Sequence, residues 1–131
     1  MNETVRKFGY PATLISDYSS WLVLLRPEQI TLGALILACK EPTHSFGDVS
    51  SDGYAELACV TKDIESALKH AFDYDKINYL MLMMVDPDVH FHVVPRYSEN
   101  RSFNHVFCTH WSVCINSIKV RGSRGWGFIP K

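Results

Sequence analysis

The sequence predicts an α+β domain with a mainly antiparallel sheet. Two observations support this prediction. Short apolar segments occur as two pairs, each interrupted by polar or turn-forming residues, and one long amphipathic segment lies between the pairs. Neighbouring strands joined by short connections form hairpins, and a helix with one apolar stripe packs that stripe against a sheet.

The first hairpin is predicted from two apolar segments near the N-terminus. Trp21–Leu25 is rich in strand-forming residues, and residues 30–39 are apolar again, with Gly33 among them. The polar stretch from Arg26 to Gln29 separates the two segments, which is typical of a hairpin connection. Glu41-Pro42 then ends the second strand.

A long helix is predicted from Tyr54 to Phe72, over about five turns. Its apolar residues recur at helical spacing and form one face: Leu57, Val60, Ile64, Ala67, Leu68 and Ala71. The turn-forming residues before it indicate Ser51 or Asp52 as the N-cap.

The second hairpin is predicted from residues 77–85 and 89–95, joined by the tight turn Asp86-Pro87-Asp88. The first of these strands is apolar nearly throughout, which predicts a central strand covered on both faces. The second strand alternates apolar and polar residues. A short helix is expected over residues 112–119, followed by a basic, glycine-rich tail over 119–131.

Composition limits the classes of function. The 131 residues include 13 Lys+Arg and 14 Asp+Glu, for a net charge of −1, and they fit a single domain over 1–131. A chain this close to neutral is not expected to bind nucleic acid through a broad basic surface. Without a 20-residue apolar segment or a signal-peptide pattern, no membrane association and a cytoplasmic location are expected. The four cysteines are expected to be free, buried thiols.

The segment Asp88-Val89-His90-Phe91-His92 is the most informative pattern for function. Alternation along a strand places Asp88, His90 and His92 on one face. Four interpretations remain open from the residues alone: a solvated strand face, a histidine nucleophile that attacks phosphorus, a metal site of two imidazoles and a carboxylate, or a site that only binds an anion.

At these residues the chain resembles the histidine triad (HIT) family of nucleotide hydrolases and transferases. The family motif is three histidines alternating with apolar residues, and here it reads Asp88-Val89-His90-Phe91-His92-Val93-Val94. The following Pro95-Arg96 is similar to the branch that hydrolyses dinucleoside polyphosphates. The resemblance covers about residues 13–111, and the order of hairpin, long helix and hairpin also matches.

The resemblance implies a five-stranded antiparallel sheet with helices on one side, and a homodimer. It implies that His90 attacks the α-phosphorus of a nucleotide to form a nucleotidyl-histidine, which water then hydrolyses. His92 would contact phosphate and donate a proton, and Asp88, in place of the first triad histidine, would orient a histidine. No cofactor is required, although Mg²⁺ could accompany the substrate.

The sequence also departs from the family pattern at several phosphate donors. The Gly-Gln-Ser/Thr donors before the triad correspond to Met83, Met84 and Val85, and another family histidine corresponds to Ala34. These departures favour a second hypothesis, a nucleotide-binding relative with weak or lost catalysis. A third hypothesis is a metal-dependent enzyme that uses Asp88, His90 and His92.

Four polar side chains are candidates for replacing the missing nucleotide contacts: Arg26, Gln29, His44 and Arg96. Each has an ordinary alternative as a turn residue, a loop residue or half of a surface ion pair. A further set of candidate zinc ligands is Cys108, His110 and Cys114, but their spacing does not match a standard zinc knuckle.

Overall fold

A computed structural model describes residues 1–99 in full and, as backbone only, the strand residues 101–103, 106–108 and 114–115. The helices are α1 (Glu3–Lys7) and α2 (Ser51–Phe72), with a 3₁₀ turn at Phe46–Asp48. The strands are β1 (Leu14–Asp17), β2 (Trp21–Leu25), β3 (Leu35–Cys39), β4 (Lys76–Leu80), β5 (His90–Arg96), β6 (Arg101–Phe103), β7 (Val106–Cys108) and β8 (Cys114–Ile115).

The five strands β1 to β5 form one antiparallel sheet in the order β1-β2-β3-β5-β4. Both predicted hairpins are present, since β2 pairs with β3 and β4 pairs with β5. The two hairpins meet where β3 pairs with β5, and this contact places the alternating histidine strand inside the sheet.

Helix α2 packs on one face of this sheet. Its buried residues Val60, Ile64 and Leu68 belong to the same apolar cluster as Trp21 and Leu37 on the strands. The indole of Trp21 also donates a hydrogen bond of 2.8 Å to the carbonyl of Gly53. The helical period predicted the burial of these three residues correctly, whereas Leu57 is only partly buried and Ala67 and Ala71 are exposed. The N-cap is Ser50, whose hydroxyl accepts from the amide of Gly53, rather than Ser51 or Asp52.

Helix α1 packs on the opposite face of the sheet, where the family resemblance implied none. Val5 is fully buried with Leu22, Leu24, Ile36 and Ala38, the outward-alternating residues of β2 and β3. The sheet is therefore covered on both faces, and the expectation of helices on one side only is wrong for this chain.

Strand β4 is an edge strand, which corrects the prediction of a central one. It ends at Leu80, and the residues after it form an exposed connection in which Leu82, Met84 and Val85 are 62%, 91% and 82% exposed. The expected tight turn is thus a nine-residue loop over 81–89. An apolar run at the open edge of a sheet resembles a central strand in sequence, because periodicity does not reveal the position of a strand in the sheet.

The described part of the C-terminal region forms a second small sheet in the order β6-β7-β8. Cys114–Ile115 is a strand, which contradicts the expected helix at these two positions. The rest of that helix, His110 and the tail over 119–131 lie outside the described residues. Cys39 and Cys59 are both free, but only Cys39 is buried, so the expectation of buried thiols fails for Cys59. None of the helices in residues 1–99 is long and apolar enough to cross a membrane.

Truncation of Leu37 to alanine should destabilise the fold strongly. Leu37 is fully buried between the sheet and α2, and such a cavity costs about 2–5 kcal/mol. The matched control is Leu82→Ala, which removes the same atoms from a side chain that is 62% exposed and should change stability by less than about 0.5 kcal/mol. Urea unfolding monitored by circular dichroism measures both, and equal losses would contradict this placement of the core.

Candidate active site

The two histidines of β5 lie on the face covered by α1, as strand alternation predicts. His90 stands opposite Ala38, and His92 stands between Ile36 on β3 and Leu80 on β4. The two imidazole centroids are 5.3 Å apart. Two adjacent titratable rings on a covered sheet face form a constellation of the kind found at functional sites.

The geometry around His90 defines its tautomer. Its Nδ1 lies 2.7 Å from the backbone carbonyl of Asp88. A carbonyl oxygen only accepts hydrogen bonds, so Nδ1 carries a proton, and the neutral tautomer consistent with this contact has its lone pair on Nε2. The side chain is fully buried, and Nε2 has no hydrogen-bond partner among the described residues. His90 therefore presents an unpaired, desolvated base.

His92 is half-buried, and its surroundings favour the neutral form. Burial lowers the pKa of His92 below its usual value, and the neighbouring His90 and Arg26 lower it further, while Asp86 opposes them. At neutral pH the ring of His92 is therefore uncharged and offers one N–H for donation.

Asp88 contributes its backbone to His90 and its carboxylate to other groups. Oδ2 accepts from the backbone amide of Thr4 at 3.2 Å, and Oδ1 lies 3.3 Å from Nε2 of His44. The hydroxyl of Thr4 in turn faces the amide of Asp88 at 3.4 Å. The backbone carbonyl of Asp88 therefore orients His90, whereas the family resemblance implied that the side chain of Asp88 would do so.

Helix α1 and the residue after it complete the site, and the sequence analysis missed both. The ring of Phe8 lies 5.9 Å from the ring of His90 and 5.7 Å from that of His92. Lys7 forms a 2.5 Å ion pair with Asp86. Asn2 is the N-cap of α1, and an Asn followed by Glu in the first turn is the sequence signal that could have predicted this helix.

Arg26 and Gln29 were predicted as nucleotide contacts, and the structure gives them different surroundings. Nε of Arg26 is buried without a partner among the described residues, although another guanidinium nitrogen donates to the carbonyl of Glu28. Gln29 is buried and uses both ends of its amide within the turn. It accepts from Gly33, which has a φ of +85°, and donates to the carbonyls of Arg26 and Ala34, each at 2.8 Å. Gln29 therefore holds the turn, while Arg26 keeps a donor near His92.

The other two candidate contacts lie on opposite sides of the histidines. His44 is exposed beside Asp88. Arg96 is four residues beyond His92 on β5, about 13 Å along the strand, and donates to Asn78 on β4 at 3.1 Å. The structure thus brings His44 to the histidine end of the site and leaves Arg96 at the far end of the strand.

The hypothesis of a metal site at Asp88, His90 and His92 is not supported by the geometry. No group of three or more His, Cys, Asp or Glu side chains within residues 1–99 is arranged to hold a metal ion. The carboxylate of Asp88 instead accepts from the backbone amide of Thr4 and lies beside His44.

Comparison with known proteins gives matches among solved structures only. Protein-family models give no match to this sequence, and no curated protein matches it. A histidine triad protein from Bradyrhizobium japonicum superposes with a TM-score of 0.63 and 20% identity, over 79% of this chain and 75% of the other. A hypothetical histidine triad nucleotide-binding protein from Sulfolobus tokodaii superposes with a TM-score of 0.61 and 19% identity, over 72% of this chain and 67% of the other.

The NitFhit protein of C. elegans is a further structural match, with a TM-score of 0.60 and 18% identity over 66% of this chain. This chain spans only 22% of the NitFhit chain. At these identities the matches establish the fold, and the α+β prediction with a five-stranded antiparallel sheet and one long helix is confirmed.

The lowered pKa of His92 should be visible in a proton NMR titration of the native protein. His92 should titrate below the value of about 6.5 that is typical of an unfolded chain. Because the unfolded chain then binds a proton that the native chain does not, this group lowers stability as the pH falls from about 6.5 toward the native pKa. A native pKa for His92 at or above that of the urea-unfolded protein would contradict the described environment.

Proposed function

We propose that this protein is a nucleotide hydrolase or nucleotidyl transferase that acts at the α-phosphorus of a nucleoside polyphosphate or phosphoramidate. The observation that carries the proposal is the state of His90. Its Nδ1–H is bound to the carbonyl of Asp88, and its Nε2 lone pair is unpaired. A fixed neutral imidazole is suited to nucleophilic attack on phosphorus near neutral pH.

The proposed reaction has two displacements. Nε2 of His90 forms a bond to the α-phosphorus, and the bond from phosphorus to the leaving oxygen or nitrogen breaks, with its electron pair going to the leaving group. Water then attacks the nucleotidyl-histidine, the N–P bond breaks, and a nucleoside monophosphate and one proton are released. The imidazole returns to its starting state.

His92 and Arg26 are the proposed phosphate contacts in this reaction. The neutral ring of His92 donates one N–H, and the buried Nε of Arg26 offers a cationic donor whose charge acts on His92. Donors directed at a phosphoryl group stabilise the charge that develops in the transition state. His44 and Arg96 remain outer candidates, and Gln29 is left out because its amide is bound within the turn.

The protonation state of His92 favours one class within this substrate range. A phosphoanhydride leaving group departs as a stable anion, whereas an amine leaving group needs a proton as it departs. Because the pKa of His92 is lowered, little of this side chain is protonated at pH 7, and it is a poor general acid for an amine leaving group. We therefore expect dinucleoside polyphosphates, the branch that Pro95-Arg96 resembles, to react faster than nucleoside phosphoramidates, without a tightly bound cofactor.

The test of the proposed mechanism is turnover by the His90→Ala variant. Removal of the nucleophile should reduce hydrolysis of a diadenosine polyphosphate by at least about 10³-fold. The matched control is His70→Ala, at an exposed histidine on α2, which should keep wild-type turnover. Chromatographic analysis of the nucleotide products gives both rates.

Two outcomes of this assay would contradict the mechanism. Equal turnover in wild type and His90→Ala would exclude His90 as the nucleophile. Nucleotide binding by calorimetry with no turnover in the wild type would favour the second candidate, a nucleotide-binding module. The exposed apolar residues Met84 and Val85, which replace family phosphate donors, are the observation behind that candidate.

The proposal includes a homodimer, which the family resemblance implies. Among the described residues β4 pairs only with β5, so its outer edge is open, and the apolar side chains of Leu80 and Leu82 are exposed beside it. An open, apolar edge strand is a surface that favours pairing with a second chain.

A dimer should therefore be lost when a charge is placed beside this edge. Light scattering should report a dimer for the wild type and a monomer for Leu82→Glu. The control is Ala67→Glu, at an exposed position on the side of α2 that faces β1, which should leave the dimer intact. A monomeric wild type, or a dimer that tolerates Leu82→Glu, would contradict this interface.

A further inference from the structure

The N-terminal segment, defined as residues 1–8, covers the proposed nucleophile. Thr4 and Val5 are buried against the sheet face that carries the histidines, and the ring of Phe8 lies against both imidazoles. His90 has no exposed surface. A phosphorus atom has to come within about 3–3.5 Å of a nucleophile for attack, so no nucleotide can react at His90 in this arrangement.

The N-terminal segment is attached to the triad region by a small set of polar contacts. The most buried of these contacts to a charged group joins the backbone amide of Thr4 to the carboxylate of Asp88, an anion at the N-terminal end of a helix. The hydroxyl of Thr4 faces the amide of Asp88 in return. The amide of Asn2 donates to the carbonyl of Cys39 at 3.0 Å, and Lys7 pairs with Asp86.

The segment has little stability of its own. Helix α1 has five residues, and isolated helices shorter than about 12–15 residues are marginal in water. Its helical form therefore depends on contacts with the triad region and the sheet. Opening of the segment also exposes Val5 and the apolar residues beneath it, so the closed form predominates and the open form is a minor local fluctuation.

We infer that the N-terminal segment is a lid over His90, and that the carboxylate of Asp88 is the latch that holds it closed. This inference rests on the proposed function, because it assigns His90 a substrate that has to reach it. It gives the aspartate at the first triad position a role of its own: the backbone of Asp88 orients the nucleophile while its side chain binds the cover. Opening of the lid exposes Nε2 to the nucleotide.

The test measures the accessibility of His90 without requiring any turnover. The protein is treated with diethyl pyrocarbonate, which acylates accessible neutral imidazoles, and the modification of each histidine is followed by peptide mass spectrometry. His70, exposed on α2, is the internal reference. In the wild type His90 should react at least about tenfold more slowly than His70, because it reacts only when the lid opens.

Two lid variants and one control give the decisive comparison. Asp88→Ala removes the latch and should raise the His90 rate about tenfold, the effect expected for loss of a hydrogen bond to a charged group. Lys7→Ala removes only the pair with Asp86 and should raise it about two- to threefold. Lys69→Ala removes a similar ion pair, with Asp73 on α2, and should leave the His90 rate unchanged.

The inference is overturned if His90 in the wild type reacts as fast as His70, or if a folded Asp88→Ala protein keeps His90 fully protected. Should Asp88→Ala fail to fold, Lys7→Ala decides, and an unchanged His90 rate in it overturns the lid. Turnover of a diadenosine polyphosphate is measured in parallel. If the modification rate of His90 rises in the lid variants but no protein shows turnover, the lid is supported and the proposed function is contradicted. If turnover is found but the modification rate of His90 does not change in the variants, the proposed function is supported and the lid is contradicted.

Discussion

The hydrogen bond from Nδ1 of His90 to the backbone carbonyl of Asp88 is the interaction on which the site depends. It joins a side chain to the main chain two residues earlier, so it is fixed by the conformation of the chain that enters β5. That conformation is in turn fixed by pairing with β3, where His90 stands opposite Ala38. The tautomer of His90 is thus a consequence of the sheet and does not require a particular side chain at position 88.

Because the side chain at position 88 is not needed to orient His90, an aspartate can be accommodated beside the proposed phosphate site. A buried carboxylate is costly unless it is paired, and here it accepts from Thr4 at the N-terminal end of α1. The charge of Asp88 is therefore stabilised by the amide of Thr4 and by the neighbouring His44. The near-neutral net charge of −1 conceals this arrangement, in which Asp86 and Asp88 are each bound to the N-terminal segment.

The parts of the structure that follow from local periodicity could be predicted from the sequence. Alternation placed His90 and His92 on one face, and helical spacing identified the buried stripe of α2. The failures concern features that periodicity does not encode. The apolar run ending at Val85 did not reveal that β4 is an edge strand, and the five-residue α1 is too short to give a helical pattern. The use of the Gln29 amide depends on the turn geometry around Gly33, which no residue pattern specifies.

Burial has two opposing effects on a histidine nucleophile. It removes water from Nε2 of His90 and leaves its lone pair without a partner among the described residues, which increases nucleophilicity toward phosphorus. Complete burial also excludes the substrate. A rigid cover would keep the imidazole dry and prevent reaction, while an open cleft would admit substrate to a hydrated imidazole. A short helix that opens locally satisfies both requirements, because it protects the imidazole when closed and admits the substrate when open.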